Sequence, residues 1–415
     1  MSPVSPENSE ASRIEMRLMI EELCCALLRF EHASERRPEA VRVRRELPLG
    51  FQNAYADVLI IPPESDPYYL EVDFGYSNDE IIASVQRKYL PLLQTDRTSN
   101  HARKLVLFFD TANRTGVEEL VATCRTMLAP EISVETLDEH ALDQLAKKHL
   151  NVSIPHLEPS MLADVRTAID QAKGTYAFAP IQKGAYQHDP LKAYLLWSFD
   201  FWKVRSLIEK HTSPDQIMRA GVYEKVVVLI ADLCSFSSFV RETPDTDITR
   251  ANLVSFYSKA RHAIIGNGGF LYQFVGDSVI GCFGMPDQNG NASACALKAA
   301  TELCHVGASV TNRWQRQIDR EQNYHGTHIG IAMGELHLMP LRPFSRTHQG
   351  LVGDCINMAS RLMDEAKEGE IIVSNVFYQS LPPESQSRFT TTHPVEAKNV
   401  GRIKSWITRI DSGMP

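Results

Sequence analysis

Apolar residues recur at helical spacing over residues 13–30, where Leu18, Leu23, Leu27 and Phe30 share one side of RIEMRLMIEELCCALLRF. That repeat predicts an amphipathic helix. The pattern then tightens into short apolar runs, ADVLIIP (56–62) and YYLEVDF (about 69–74), which predict strands. NDEIIASVQRKYLPLLQ (78–94) returns to helical spacing, with Asn78 or Asp79 as its cap. KLVLFFD (104–110) predicts a buried strand and GVEELVATCRTML (116–128) a helix. The order helix, strands, helix, strand, helix predicts a small α/β domain within residues 1–150, ordered from about residue 13.

Residues 151–220 have a different texture. Prolines 155, 159, 180 and 190 punctuate them and long apolar runs are few, so they predict a linker with short helices. The aromatic-rich LKAYLLWSFDFWKVRSLIEK (191–210) predicts one helix packed on the next domain. From Tyr223 the chain predicts that second domain, 221–411. KVVVLIAD (225–232) is a buried strand, TRANLVSFYSKARHAII (249–265) a helix, and GGFLYQFVGDSVIGCFG (268–284) a strand, turn and strand with Gly-Asp at the turn. NASACALKAATELCHVGASVTNRW (291–314) is a long helix, and HIGIAMGELHLM (328–339) one long strand or a pair. DCINMASRLMDEAK (354–367) is a helix opened by Asp354, GEIIVSN (369–375) a strand, and VEAKNVGRIKSWITRI (395–410) a strand, turn and strand.

Composition narrows the class. The chain has 415 residues, 43% hydrophobic and 23% charged, enough for two or three domains without covalent staples. A net charge of −8 argues against a general nucleic-acid partner. The eight cysteines form no CxxC pair and mostly sit in apolar surroundings, as reduced core thiols do. No apolar run reaches the roughly 20 residues that span a bilayer, and the N-terminus has no apolar signal core, so a soluble cytoplasmic protein is expected.

Candidate chemistry lies in the second domain. Asp232 ends one apolar strand and Asp277 sits in a hairpin turn. Two carboxylates at neighbouring strand ends can share a pair of hard divalent cations, although an aspartate after an apolar strand is often only a strand end. Asn357 and Arg361, four apart on one helix, share a face and suit an anionic oxygen, or else a solvated surface. Lys398 precedes a turn and reads alone as a surface lysine.

Taken together, VVLIADLCSFSSF, GGFLYQFVGDSV and VGDCINMASRL resemble, in order and spacing, the three hallmark segments of class III nucleotidyl cyclases, the adenylate/guanylate cyclase catalytic domain. The resemblance implies an α+β fold with a palm-like βαββαβ catalytic domain that works as a homodimer with shared active sites. It implies that Asp232, Asp277 and the carbonyl of Leu233 hold two divalent cations, Mn²⁺ or Mg²⁺. Phe236 matches the aromatic residue of the first segment. Asn357 would orient the ribose, Arg361 would stabilise charge at the α-phosphate, and Lys398 would contact the terminal phosphates. The implied reaction converts a nucleoside triphosphate to a 3′,5′-cyclic nucleotide and pyrophosphate.

The two positions that choose the base in this family depart from both purine patterns. The residue four before the second metal aspartate, usually Lys or Glu, is Gln273; the one three before the glycine of the third segment, usually Asp, Thr or Cys, is Gly350. An uncharged amide that both donates and accepts can pair with a uracil edge, while a purine edge would lose partners. Strand alternation predicts that Tyr272 and Phe274 point away from Gln273 into the core. These departures, with an N-terminal domain and no membrane module, resemble the pyrimidine cyclases of bacterial Pycsar anti-phage defence. That implies UTP, then CTP, as substrate and a downstream effector activated by the cyclic nucleotide. The alternatives are an adenylate or guanylate cyclase of ordinary signalling and an inactive nucleotide-binding sensor.

In the N-terminal domain, ADVLII, YYLEVDFGYS and SVQRKY together faintly resemble a PD-(D/E)XK nuclease core, with Asp57, Glu71 and then Asp73 where the lysine would stand. The missing lysine predicts a regulatory or dimer-supporting domain over a nuclease.

Overall fold

The computed structural model describes residues 10–33, 38–51, 54–93, 102–110, 114–154, 157–180, 189–211, 213–287, 291–340, 349–397 and 401–410. They fall into two compact units: one runs to Ala172 and includes Thr246–Ser255, and the other is built from Lys173–Asp245 and from Phe256 onward.

The first unit contains α1 (Glu10–His32), β1 (Arg42–Pro48), β2 (Tyr55–Ile61), β3 (Tyr68–Val72), α2 (Asn78–Leu93), β4 (Lys104–Phe108), α3 (Val117–Leu128), β5 (Ser133–Leu137) and α4 (Glu139–Leu150). Its sheet is ordered β1-β2-β3-β4-β5, antiparallel from β1 to β3 and parallel from β3 to β5. Three of these elements escaped the periodicity. β1 reads RVRRELP, and its charges hide a buried strand because Arg45 is ion-paired inside with Glu21 at 2.5 Å. β5 is short and mostly exposed. α4 is opened by Asp138, whose carboxylate accepts from Ala141 N at 2.7 Å. The core of this unit gathers Tyr69 of β3, Ile81, Val85 and Tyr89 of α2, Leu105 and Leu107 of β4, and Leu120 and Cys124 of α3.

The stretch expected as a linker holds a 17-residue helix, α5 (Leu162–Phe178), longer than the short helices anticipated. The single helix expected over 191–210 is two, α6 (Pro190–Ser198) and α7 (Phe201–His211). The break falls at Phe199, which is extended (φ −135°, ψ 161°) and buries its ring 5.2 Å from that of Phe270. Burying an aromatic ring outweighs continuing the helix here.

After α8 (Pro214–Ile217) the chain continues with β6 (Gly221–Leu233), α9 (Phe236–Glu242), α10 (Thr246–Gly266), β7 (Phe270–Val275), β8 (Ser278–Phe283), α11 (Ala292–Ile318) and β9 (Thr327–Pro340). Then come β10 (Gln349–Val352), α12 (Asp354–Glu365), β11 (Glu370–Ser374), α13 (Asn375–Ser380), α14 (Pro383–Gln386), β12 (Thr390–Thr391), β13 (Val395–Ala397), β14 (Gly401–Ile403) and β15 (Ser405–Arg409). The main sheet runs β12-β15-β11-β9-β6-β8-β7, and β10 pairs with the outer end of β9. The segment from β6 to β9 is the expected βαββαβ unit, and 328–339 is one strand.

Alternate residues of β6, namely Val227, Leu229, Ala231 and Leu233, join Phe256, Ala260 and Ile264 of α10 and Ala296, Ala300 and Leu303 of α11 in one core. Each large side chain so buried contributes about 1.5–3 kcal/mol. α12 packs on β9 and β6. The approach is close enough to require glycine: a Cβ on Gly330 of β9 would lie 2.0 Å from the Ala359 carbonyl oxygen of α12.

Candidate active site

Asp232 stands one residue from the end of β6 and pairs across the ladder with His328, near the start of β9. Asp277 comes from the two-residue turn between β7 and β8, where Gly276 supplies the left-handed φ of +61°. The turn is fixed from outside by Tyr257, whose hydroxyl donates to the Gly276 carbonyl at 2.5 Å and whose ring lies 4.5 Å from that of Phe274. Phe274 in turn meets the half-exposed Trp197 of α6. Asp232, Leu233, Phe236, Asp277, Tyr324 and His328 line one open pocket of about 490 Å³.

The electrostatics of that pocket are those of two carboxyls in conflict. Burial pushes Asp277 up to about 6, and the neighbouring Asp232 charge adds to it. Burial would raise Asp232 as well, but hydrogen bonds from His328 and Ser278 outweigh it and hold this carboxyl below its usual value. Ser278 Oγ donates to Asp232 Oδ1 at 2.5 Å, and His328 Nε2 lies 3.2 Å from Oδ2. The other ring nitrogen of His328, Nδ1, donates to the Ala366 carbonyl at 3.0 Å. Burial would lower His328, yet these acceptors raise it. His328 is a site residue that the sequence reading missed.

The donor set fits a hard divalent cation. Two carboxylates converge in a polar pocket beside Leu233, and oxygen donors of this kind suit magnesium or manganese. Among the described residues no group of three or more His, Cys, Asp or Glu side chains gathers to hold a metal ion by itself. A cation here would therefore complete its coordination with substrate oxygens and water.

Asn357 and Arg361 lie on the exposed side of α12, opposite the buried Cys355, Ala359, Leu362 and Met363. Arg361 Nη1 is 3.3 Å from Asp364 Oδ2. Neither residue lines the pocket of Asp232 and Asp277. Phe236 does, with its ring edge-on to Trp314 at 6.3 Å. Lys398 lies outside the described residues.

Gln273 is exposed on β7 and Gly350 is buried in β10, opposite Met339. The alternation expected around Gln273 holds for Phe274, which packs on the core, and fails for Tyr272. The register passes from Leu271↔Gly281 to Gln273↔Ile280, so Tyr272 is the extra residue of a bulge. Its hydroxyl accepts from Leu351 N at 3.4 Å instead of joining the core.

In the first unit Asp57, Glu71 and Asp73 come together as expected, and a lysine does stand with them. Lys88 arrives from α2, with Nζ 3.3 Å from Asp57 Oδ1 and in hydrogen-bonding contact with Glu71 Oε2. Arg17 Nη2 meets Asp57 Oδ2 at 2.8 Å, and the Tyr89 hydroxyl donates to Glu71. Burial, with the Asp57 charge, pushes Glu71 up to about 7 and Asp73 to about 6, while Arg17 and Lys88 hold Asp57 well below the usual range.

Residues 218–409 match the family model of the adenylate and guanylate cyclase catalytic domain. Adenylate cyclases of Mycobacterium tuberculosis and Mycobacterium bovis are 23% identical over 201 residues, 48% of this chain and 43% of theirs. A receptor-type guanylate cyclase of Caenorhabditis elegans is 26% identical over 191 residues, 45% of this chain and 17% of its own. The chain thus matches less than half the length of these curated relatives. Among solved structures, the adenylyl cyclase CyaB of P. aeruginosa is 20% identical with a TM-score of 0.40, covering 47% of this chain and 97% of that one. The guanylate cyclase domain of RhGC from Catenaria anguillulae, in complex with GTP, is 22% identical with a TM-score of 0.37, covering 46% and 100%. No helix among the described residues is long and apolar enough to cross a membrane. The family match falls on the βαββαβ unit that carries Asp232 and Asp277, and residues 218–409 have the fold of a class III adenylate/guanylate cyclase catalytic domain.

Proposed function

We propose that this protein is a nucleotidyl cyclase that forms a 3′,5′-cyclic nucleotide and pyrophosphate from a nucleoside triphosphate, with UTP favoured and CTP next. The observation that carries the reading is the meeting of Asp232 and Asp277 in one pocket beside the hairpin turn. In this reading the two carboxylates and the Leu233 carbonyl hold two divalent cations, Mg²⁺ or Mn²⁺. When bound, such ions lower the pKa of the attacking ribose 3′-oxygen and stabilise the departing pyrophosphate. Ser278 and His328 hold the Asp232 carboxylate in place for that duty.

Asn357 and Arg361 lie outside that pocket in their own chain, so a second copy must bring them to it. A head-to-tail homodimer with two shared sites meets this need. Asn357 then orients the ribose, and Arg361 neutralises charge as the 3′-oxygen bonds to the α-phosphorus and the bridging oxygen leaves with pyrophosphate. Lys398 contacts the terminal phosphates, and Phe236 shapes the pocket wall. Gln273 and Gly350 support a pyrimidine: the amide pairs with a base edge without charge, and the glycine contributes no purine-reading side chain. The product serves as a second messenger to an effector, in the manner of anti-phage defence, and the first unit acts as a regulatory domain.

The test is incubation with Mn²⁺ and all four nucleoside triphosphates, with products resolved by mass. A cyclic pyrimidine nucleotide is expected. A purely purine product overturns the base assignment, and no cyclic product overturns the activity. Asp277→Ala is expected to abolish turnover while leaving the dimer intact; retained turnover overturns the metal assignment.

A further inference from the structure

Along the main sheet, β8, β6 and β9 intervene between β7 and β10. The two strands nevertheless meet, because Tyr272 of β7 accepts a hydrogen bond from the backbone N–H of Leu351 in β10. The residues next to these partners are Gln273 and Gly350. The bulge makes the meeting possible: without the extra residue, strict alternation would aim Tyr272 elsewhere, and Leu271 and Phe274 could not both reach the core from positions three apart. A phenol oxygen that accepts still has its hydrogen to give.

We propose that Tyr272 is a specificity-determining residue: it holds β7 and β10 at a fixed separation across the Gln273–Gly350 gap and donates its phenolic hydrogen to a carbonyl of the bound base. The proposal rests on the reading of Gln273 and Gly350 as base-facing positions. Its chemistry selects by functional group. Uracil, cytosine and guanine each offer a ring carbonyl, and adenine offers none. Gly350 contributes no side chain, and among the described contacts the Tyr272 hydroxyl reaches from β7 to the backbone of β10, on a ring with few rotatable bonds. A site built around such a donor discriminates against a base that cannot accept from it.

The experiment measures kcat/KM for UTP, CTP, GTP and ATP in competition, in the full-length protein and in Tyr272→Phe and Tyr272→Ala. Tyr272→Phe keeps the ring and removes only the hydroxyl, so it is the variant that decides; its thermal midpoint serves as the folding control. The expected result is a loss of about tenfold or more in the preference for UTP over ATP in Tyr272→Phe, and a larger loss in Tyr272→Ala as the gap relaxes. A Tyr272→Phe preference unchanged to within about twofold overturns the proposal. If the wild-type product is a purine nucleotide, the pyrimidine reading fails but the GTP-to-ATP ratio in Tyr272→Phe still judges Tyr272. If no triphosphate is turned over, the cyclase reading fails, and calorimetric binding of the same four nucleotides decides in its place: an unchanged order of affinities in Tyr272→Phe overturns the role given to the hydroxyl.

Discussion

The pocket turns on how Asp232 is held. Ser278 and His328 each hydrogen-bond one of its oxygens, and the Ala366 carbonyl fixes the imidazole from behind. Groups that orient a ligand in this way are typically worth 10–100-fold in metal affinity. His328→Ala is therefore expected to raise the Mn²⁺ concentration for half-maximal turnover by about tenfold or more, with turnover at saturating Mn²⁺ largely kept. An unchanged metal requirement would show that His328 does not orient the carboxylate. Asp232 and Asp277 were legible in the sequence because each closes an apolar run, one at a strand end and one in a Gly-Asp turn. His328 was not, since its partner is 96 residues away and a histidine opening an apolar strand has no local signal. Lys88 stands inside the SVQRKY stretch, but its place beside the carboxylates was not legible for the same reason, its partners lying 31 and 17 residues upstream.

At the level of elements, the close packing of α12 on β9 depends on a missing side chain. The Cβ of Gly330→Ala would strike backbone, which cannot rotate away, so the helix itself must shift. Overpacking of this kind costs about 1–3 kcal/mol, readable as a lower urea midpoint. Because α12 carries Asn357 and Arg361, turnover is expected to fall as well. The amphipathic repeat of α12 was plain in the sequence, but the glycine contact was not: it joins two elements that periodicity treats separately. The same limit explains β1, whose buried Arg45 reads as a surface charge until Glu21 of α1 is placed beside it. It explains Tyr272 too, since a one-residue bulge defeats strand alternation without altering composition.

For the molecule as a whole, the first unit carries a titrating cluster. Glu71 and Asp73 have folded-state pKa values raised to about 7 and about 6. The folded state thus holds these protons more tightly than the unfolded chain. The stabilisation is complete below the ordinary carboxyl range, near pH 4, and is lost as pH rises through 6 to 7. Asp57, depressed, works the other way at lower pH, where its contribution is lost as pH falls. The thermal midpoint is expected to fall between pH 5 and pH 7.5, and Glu71→Gln should flatten that slope; an unaltered slope would remove Glu71 as its source. Removing Lys88 as Lys88→Ala leaves buried carboxylates uncompensated and is expected to cost about 3–5 kcal/mol by denaturant titration. Assembly has its own test. Asp277→Ala and Arg361→Ala are each expected to be inactive, while an equal mixture regains about a quarter of wild-type turnover, because each mixed dimer has one intact site. No recovery would exclude shared sites.

The glycine seam at Gly330 has a consequence for control. With α12 pressed directly on β9, and His328 of β9 bound to Asp232, the carboxylate pocket and the helix that carries Asn357 and Arg361 are both anchored to the same strand. If the proposed two-fold pair with shared sites forms, that common anchor links the two sites through the angle between the copies, and a change of that angle is expected to open or close both together.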